Sequence, residues 1–213
     1  MTPRARAATL LPPGLSLFDG VLDEASAAAE LDGLLAEIPW EEHHFRIFGR
    51  VVPMPRRIAW YGPHPYRYSC IEHPARPLPP RVEALRRLVE ERVGLPFNSV
   101  LLNLYRDGRD AMGWHADDDY EHGGQDVIAS LSLGATRRFQ VRWEGGRCSL
   151  DLPSGSLLLM GPGFQARHQH AVPRQPSVTG PRVNLTWRHF FPAIPAGGPP
   201  PDADRGHNDA EHP

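Results

Sequence analysis

Residues 128–160, IASLSLGATRRFQVRWEGGRCSLDLPSGSLLLM, decide the fold class. Short β-type runs at Val127–Leu133, Arg138–Trp143, Cys148–Leu152 and Ser156–Met160 are punctuated by Gly, Pro and Asp turns, which is the signature of consecutive antiparallel strands. The same pattern extends outward to Asn98–Tyr105 upstream and Arg182–Phe190 downstream. Before this region the period changes. Leu31, Leu34, Leu35 and Ile38 recur at helical spacing and predict a helix over about Asp23 to Ile38, stopped by Pro39. Val82, Leu85, Val89 and Val93 predict a second over about Pro80 to Val93, closed by Gly94. Two helices followed by a strand-rich half predict an α+β, mostly β fold: N-terminal helices packed on one sheet of a double-sheet jelly roll.

The chain has 213 residues and a net charge of −2, the size of one ordinary domain able to bury a core without staples. All 23 basic residues are arginine, which excludes a P-loop lysine, a Schiff base and a Ser-Lys nucleophile. Cys70 and Cys148 are too few and too far apart for a disulfide framework or a zinc finger. The apolar stretch after Arg4 and Arg6 runs only from Ala7 to Leu11 before Pro12 and Pro13, so neither a signal core nor a membrane span is expected. A soluble, cytoplasmic monomer is the expectation. Residues 193–213, rich in Pro, Gly and acids, read as a disordered tail of net charge −3, leaving a single domain over 1–192 of net charge +1.

His115-Ala116-Asp117 carries two metal-capable side chains at i and i+2, the same face of an extended segment, and His170 follows 55 residues after the first. Two histidines and a carboxylate can form the facial triad that leaves three positions open on non-haem Fe(II). A His-x-Asp pair is also common on ordinary surfaces, and His168 is a rival for His170. In Arg182-Val-Asn-Leu-Thr-Trp-Arg188 alternation puts Val183, Leu185 and Trp187 on one face and Arg182, Asn184, Thr186 and Arg188 on the other. That second row is either solvated or a line of donors suited to a dicarboxylate. Asn103 and Tyr105 share a face by the same parity.

The runs NLYRDGRDAMGWHADDD, IASLSLGATRRF, LPSGSLLLM, HQHAVP and RVNLTWR, taken in order, resemble the AlkB family of iron- and 2-oxoglutarate-dependent nucleic-acid dealkylases over roughly Phe45 to Phe190. The resemblance implies a double-stranded β-helix core over about 97–192 and a nucleotide-recognition segment over about 40–75. It implies Fe(II), 2-oxoglutarate and O2, with iron held by His115, Asp117 and His170. His170 is preferred to His168 because the family's distal ligand precedes a small residue and a turn. Matching positions assign 2-oxoglutarate to Asn103, Tyr105, Arg182, Thr186 and Arg188, with Asn184 in the same row and Arg182 on the distal carboxylate.

Between Glu42 and Ala59, Arg46, Arg50, Arg56 and Arg57 interleave with Phe45, Ile47 and Phe48, as phosphate contact plus base stacking would require; a solvated hairpin would look the same. Ile47-Phe48-Gly49-Arg50 resembles the finger with which the duplex-DNA branch of the family fills the gap left by an extruded base. Tyr66 to Cys70 matches the segment forming the base pocket, with Tyr68 against the base; Cys70 departs from that branch, which can carry an aromatic there. Asp118 is positioned to accept from an exocyclic amine, or belongs to a solvated acidic loop. His43, His44, His64, His73, His122 and His189 read as surface or structural. The activity implied is demethylation of 1-methyladenine and 3-methylcytosine in single-stranded or duplex DNA by base flipping. RNA or protein demethylation, or a catalytically silent nucleic-acid-binding module, are the alternatives.

Overall fold

The computed structural model describes residues 11–47, 49–68, 71–117 and 126–191. In chain order its elements are β1 (Leu15–Phe18), α1 (Glu24–Glu37), β2 (His44–Ile47), β3 (Arg50–Pro53), β4 (Arg57–Tyr61), β5 (Tyr66–Tyr68), β6 (Ile71–His73), α2 (Pro80–Val93), β7 (Ser99–Tyr105), β8 (Met112–His115), β9 (Ile128–Gly134), β10 (Arg137–Trp143), β11 (Gly146–Leu152), β12 (Ser156–Met160), α3 (Phe164–Arg167), β13 (Gln169–Val172) and β14 (Arg182–Arg188). The tail expected beyond 192 lies outside the described residues.

Both long helices begin and end where their caps dictate. The Asp23 carboxylate accepts from the Ser26 backbone N–H at 2.7 Å, and Pro39 follows the last turn of α1. Pro80 opens α2, and Gly94 closes it in the left-handed conformation at φ 71°, which a side chain would resist. No helix among the described residues is long and apolar enough to cross a membrane.

The strands form a six-stranded sheet, β1-β12-β9-β14-β7-β4, facing a four-stranded sheet, β11-β10-β13-β8, with every ladder antiparallel. Strand parity then sorts the core. Val183, Leu185 and Trp187 join Leu102, Leu104, Leu131 and Leu133 on the outer face of the large sheet, where Ala27 and Leu34 of α1 and Val82, Leu85 and Val89 of α2 cover them. On its inner face Tyr105, Ile128, Leu158 and Met160 meet Phe139, Val141, Leu150 and Val172 of the small sheet. This is the jelly roll with helices on one sheet, and it leaves polar residues of β7, β9 and β14 pointing between the sheets.

Two placements differ from the sequence expectation. The large sheet reaches outside about 97–192, because β1 pairs with β12 and β4 pairs with β7. These strands are only four and five residues long, too short for a period to register, and their partners are remote in sequence. His170 stands on a strand that the runs read in the sequence did not include, β13, separated from β12 by the single-turn α3. It pairs directly across from His115, the last residue of β8, while Asp117 lies beyond that strand's end.

Candidate active site

The His115↔His170 pairing brings two imidazoles from adjacent strands to a ring separation of 4.2 Å, and Asp117 joins them just past the end of β8. His115 Nε2 lies 3.7 Å from Asp117 Oδ1, and His170 Nε2 lies 3.6 Å from Oδ2. One donor atom from each of the three lies within 4.8 Å of the others, a reach that a single ion can span. The ring of His170 stacks on Phe139 at 5.2 Å, which fixes its plane.

The tautomer of His115 follows from its other nitrogen. Nδ1 sits 2.8 Å from the Gly113 carbonyl, an acceptor only, so Nδ1 carries the proton and Nε2 presents its lone pair to the carboxylate side. Burial and the neighbouring His170 push the His115 pKa down to about 4, so the ring is neutral as a ligand must be. Burial works the other way on Asp117, but the Arg188 guanidinium at 2.8 Å outweighs it and holds the carboxyl far below the usual range. Two imidazole nitrogens and an ionised carboxylate fit a divalent iron.

The polar row of β14 lies inside, not in solvent. Asn184, Thr186 and Arg188 line the same cavity as the three ligands, with Asn103, Tyr105 and Arg56. Asn184 is committed internally: its amide donates to Ser130 Oγ at 2.8 Å and to the Leu131 carbonyl at 3.0 Å, and Oδ1 accepts from Thr186 at 3.1 Å. Arg182 is 1% exposed and donates from Nη2 to Ser132 Oγ at 3.0 Å; its Nε and Nη1 have no hydrogen-bond partner among the described residues. Its guanidinium faces the Tyr105 ring at 5.2 Å, and burial pushes its pKa down to about 10. A buried cation with idle donors beside a cavity is costly unless an anion completes it. The carboxylate of 2-oxoglutarate is such an anion.

The segment expected to meet nucleic acid divides. Arg50 is exposed on the β2–β3 hairpin, whose turn Gly49 enters at φ 76°, and Val51 and Val52 beside it are 62% and 40% exposed. Arg56 does not belong with it. At 3% exposure it faces inward and donates from Nε to Asn103 Oδ1 at 2.9 Å, so it is part of the cavity wall and not of a surface phosphate file. Arg57 is paired with Glu42. Phe48, Cys70 and Asp118 lie outside the described residues, as do the side chains of Phe45, Arg46, Ile47 and Tyr68. His168, the rival ligand, is turned away: it caps α3, with Nδ1 3.0 Å from the Phe164 carbonyl and its ring stacked on Phe164 at 4.3 Å.

Two positioning residues were not legible in the sequence. Arg137, 1% exposed, donates to the Asp107 and Asp110 carbonyls before β8 and to the Pro173 carbonyl after β13, tying together the strands that carry the histidines. The doublet Arg137-Arg138 held the clue, since strand parity sends one of two neighbours inward. Gln165 of α3, 4% exposed, accepts from the Asp117 backbone N–H at 3.0 Å and donates to Met160 Sδ. Replacing it with leucine is expected to lower iron affinity about 10- to 100-fold, the usual effect of losing a group that orients a ligand. An iron titration read by the charge-transfer band of the 2-oxoglutarate complex measures this, and an unchanged midpoint would refute it.

The sequence profile of the 2OG-Fe(II) oxygenase superfamily matches residues 14–188. Mouse alpha-ketoglutarate-dependent dioxygenase alkB homolog 3 is 39% identical over 206 residues, covering 90% of this chain and 72% of that protein. Mouse DNA oxidative demethylase ALKBH2 is 36% identical over 183 residues, covering 77% of each. The solved structure of OsALKBH1 superposes with a TM-score of 0.60 over 84% of this chain and 99% of its own, at 18% identity, a likeness of fold. A profile match spanning nearly all of the jelly roll, together with relatives this similar over most of their length, makes this chain a member of the AlkB family of Fe(II)- and 2-oxoglutarate-dependent oxygenases.

Proposed function

We propose that this enzyme removes alkyl groups oxidatively from ring nitrogens of nucleic-acid bases, 1-methyladenine and 3-methylcytosine in DNA being the expected substrates. The observation that carries the reading is one cavity lined by the His-Asp-His cluster, with the anion-deficient Arg182 packed against its Tyr105 wall, in a chain whose relatives are named for this chemistry. Bound together, Fe(II), 2-oxoglutarate and O2 supply an oxidation that hydroxylates the N-alkyl carbon, leaving succinate, CO2, an aldehyde and the unmodified base.

The protein's part is placement. His115 Nε2, Asp117 and His170 Nε2 would hold the metal. Arg182 would take the distal carboxylate of 2-oxoglutarate, with Tyr105 and Asn103 beside it and Thr186 and Arg188 continuing the row. Asn184 acts by fixing Thr186, and Arg56 by fixing Asn103. Burial of these groups excludes water and strengthens each charged contact.

A methyl on a base's pairing edge is out of reach inside a helix, so the target must leave the stack, and it does so most easily when the methyl already prevents pairing. The exposed Val51 and Val52 beside Arg50 give the β2–β3 hairpin an apolar, cationic face suited to that gap, with Gly49 at its turn, and Phe48 is assigned to the gap itself. Tyr68, Cys70 and Asp118 are assigned to the base itself.

The test is release of formaldehyde and succinate in equal amounts from oligonucleotides bearing 1-methyladenine or 3-methylcytosine, single-stranded and duplex, beside matched RNA and a methylated peptide. Turnover on DNA is expected. Turnover confined to the peptide, or to RNA, would replace the DNA reading with the corresponding alternative.

A further inference from the structure

Outside the active-site cavity, Glu41, His43 and His73 form a second cluster whose donor atoms lie within 4.8 Å of one another. His43 Nε2 and His73 Nδ1 each approach the same carboxylate oxygen, Glu41 Oε2, at 3.2 Å. The other oxygen accepts from Arg76 at 2.8 Å, which sets the carboxylate plane. Each donor is held by its backbone. Glu41 exchanges two hydrogen bonds with Ile58 of β4, the His43 carbonyl accepts from the Met54 N–H, and His73 pairs with Tyr66 across the β5–β6 hairpin. The His73 side chain is 2% exposed, and its Nε2 has no hydrogen-bond partner among the described residues.

Two of the three donor-atom separations, 3.2 Å each, are close to the spacing of ligands round a tetrahedral ion, and all three donor atoms lie within 4.8 Å of one another. Bonds of about 2.0–2.1 Å at the tetrahedral angle separate neighbouring ligand atoms by about 3.3–3.4 Å. Two imidazoles and a carboxylate are a zinc donor set, and the partial exposure of Glu41 leaves room for water as the fourth ligand. We infer that Glu41, His43 and His73 form a structural Zn(II) site, separate from the His115, Asp117 and His170 cluster, that clamps the base of the β2–β3 hairpin to the β5–β6 hairpin. Burial lowers the His73 pKa, which keeps its ring in the neutral, ligating form. Tyr66 of β5 stands 3.5 Å from Arg188, which lines the cavity, so zinc here stiffens the β5–β6 hairpin next to that wall. The inference does not depend on which substrate that is.

The experiment is a metal count on the full chain, stripped with chelator and dialysed against Zn(II). Two equivalents are expected in the wild type, one of them lost in His43→Gln and one retained in Asp117→Asn. Cobalt(II) supplies a signature besides the count: a four-coordinate ion gives intense visible absorption, expected to vanish in His43→Gln and to persist in Asp117→Asn. His43 is at the cluster's accessible edge, and equal metal-free melting temperatures show that its variant folds. The Asp117→Asn chain, counted at a temperature below its own metal-free melting transition, tests the site without touching it. No zinc retained by Asp117→Asn, or two equivalents retained by His43→Gln, would overturn the assignment and leave the cluster as two N–H donors bonded to a carboxylate.

Discussion

Asp117→Asn is expected to abolish 2-oxoglutarate turnover and to destabilise the metal-free protein as well. Asparagine keeps the shape but removes the charge that two imidazoles and a guanidinium face. Loss of an orienting neighbour alone costs about 10- to 100-fold in metal affinity, so loss of a ligand costs more than about 100-fold, read as succinate formed per chain. The stability effect comes from Arg188. At 7% exposure, with its 2.8 Å contact to Asp117 neutralised, it becomes a buried cation facing an amide, a change of about 3–5 kcal/mol when a buried pair is broken from one side. Asp117→Glu separates the two roles: it retains the charge and is expected to retain most of the melting temperature, while its longer side chain displaces the metal and turnover is still lost. Succinate formation by Asp117→Asn at the wild-type rate would remove the residue from the metal site.

Arg182→Met carries the second large effect, and it has opposite signs with and without cosubstrate. In the metal-free, cosubstrate-free protein the guanidinium is buried with Nε and Nη1 idle, so an apolar side chain of similar length is expected to leave the melting temperature unchanged or raise it. With 2-oxoglutarate present the same change removes the partner of its distal carboxylate. Truncating one side of a buried, hydrogen-bonded charge pair costs about 2–5 kcal/mol, which corresponds to a rise of about 30- to several thousand-fold in KM. Saturating 2-oxoglutarate therefore raises the melting temperature of the wild type but not of the variant. A KM within twofold of wild type would move the distal carboxylate elsewhere in the cavity, with Arg56 the next cation to test.

The two helices were readable to within a residue because their signals are local: a capping aspartate, an opening proline, a closing glycine and apolar residues at helical spacing. The β14 row was readable for a related reason, since strand parity assigns alternate side chains to opposite faces before any partner strand is known. What parity left open was the meaning of the polar face, solvent or cavity. Only the covering sheet, which carries Phe139 and Val172 over that row, turned solvated arginines into buried ones. Arg56 shows the converse. Arg50 is exposed and Arg57 half-exposed against Glu42, yet Arg56, just before β4, lies beneath the surface on Asn103, 47 residues away.

The sequence by itself determined the fold class, the two helices and the residue types able to bind iron and a dicarboxylate, because periodicity, capping and side-chain chemistry act between near neighbours. Tertiary structure decided which atoms meet. The facing of His115 and His170 across β8 and β13, the choice of His170 over His168, the hold of Gln165 and Arg137 on the ligand strands, and the gathering of Glu41, His43 and His73 all depend on strand register and on burial. Those are set by the free energy of packing two sheets and two helices as a whole, which no window of the chain contains.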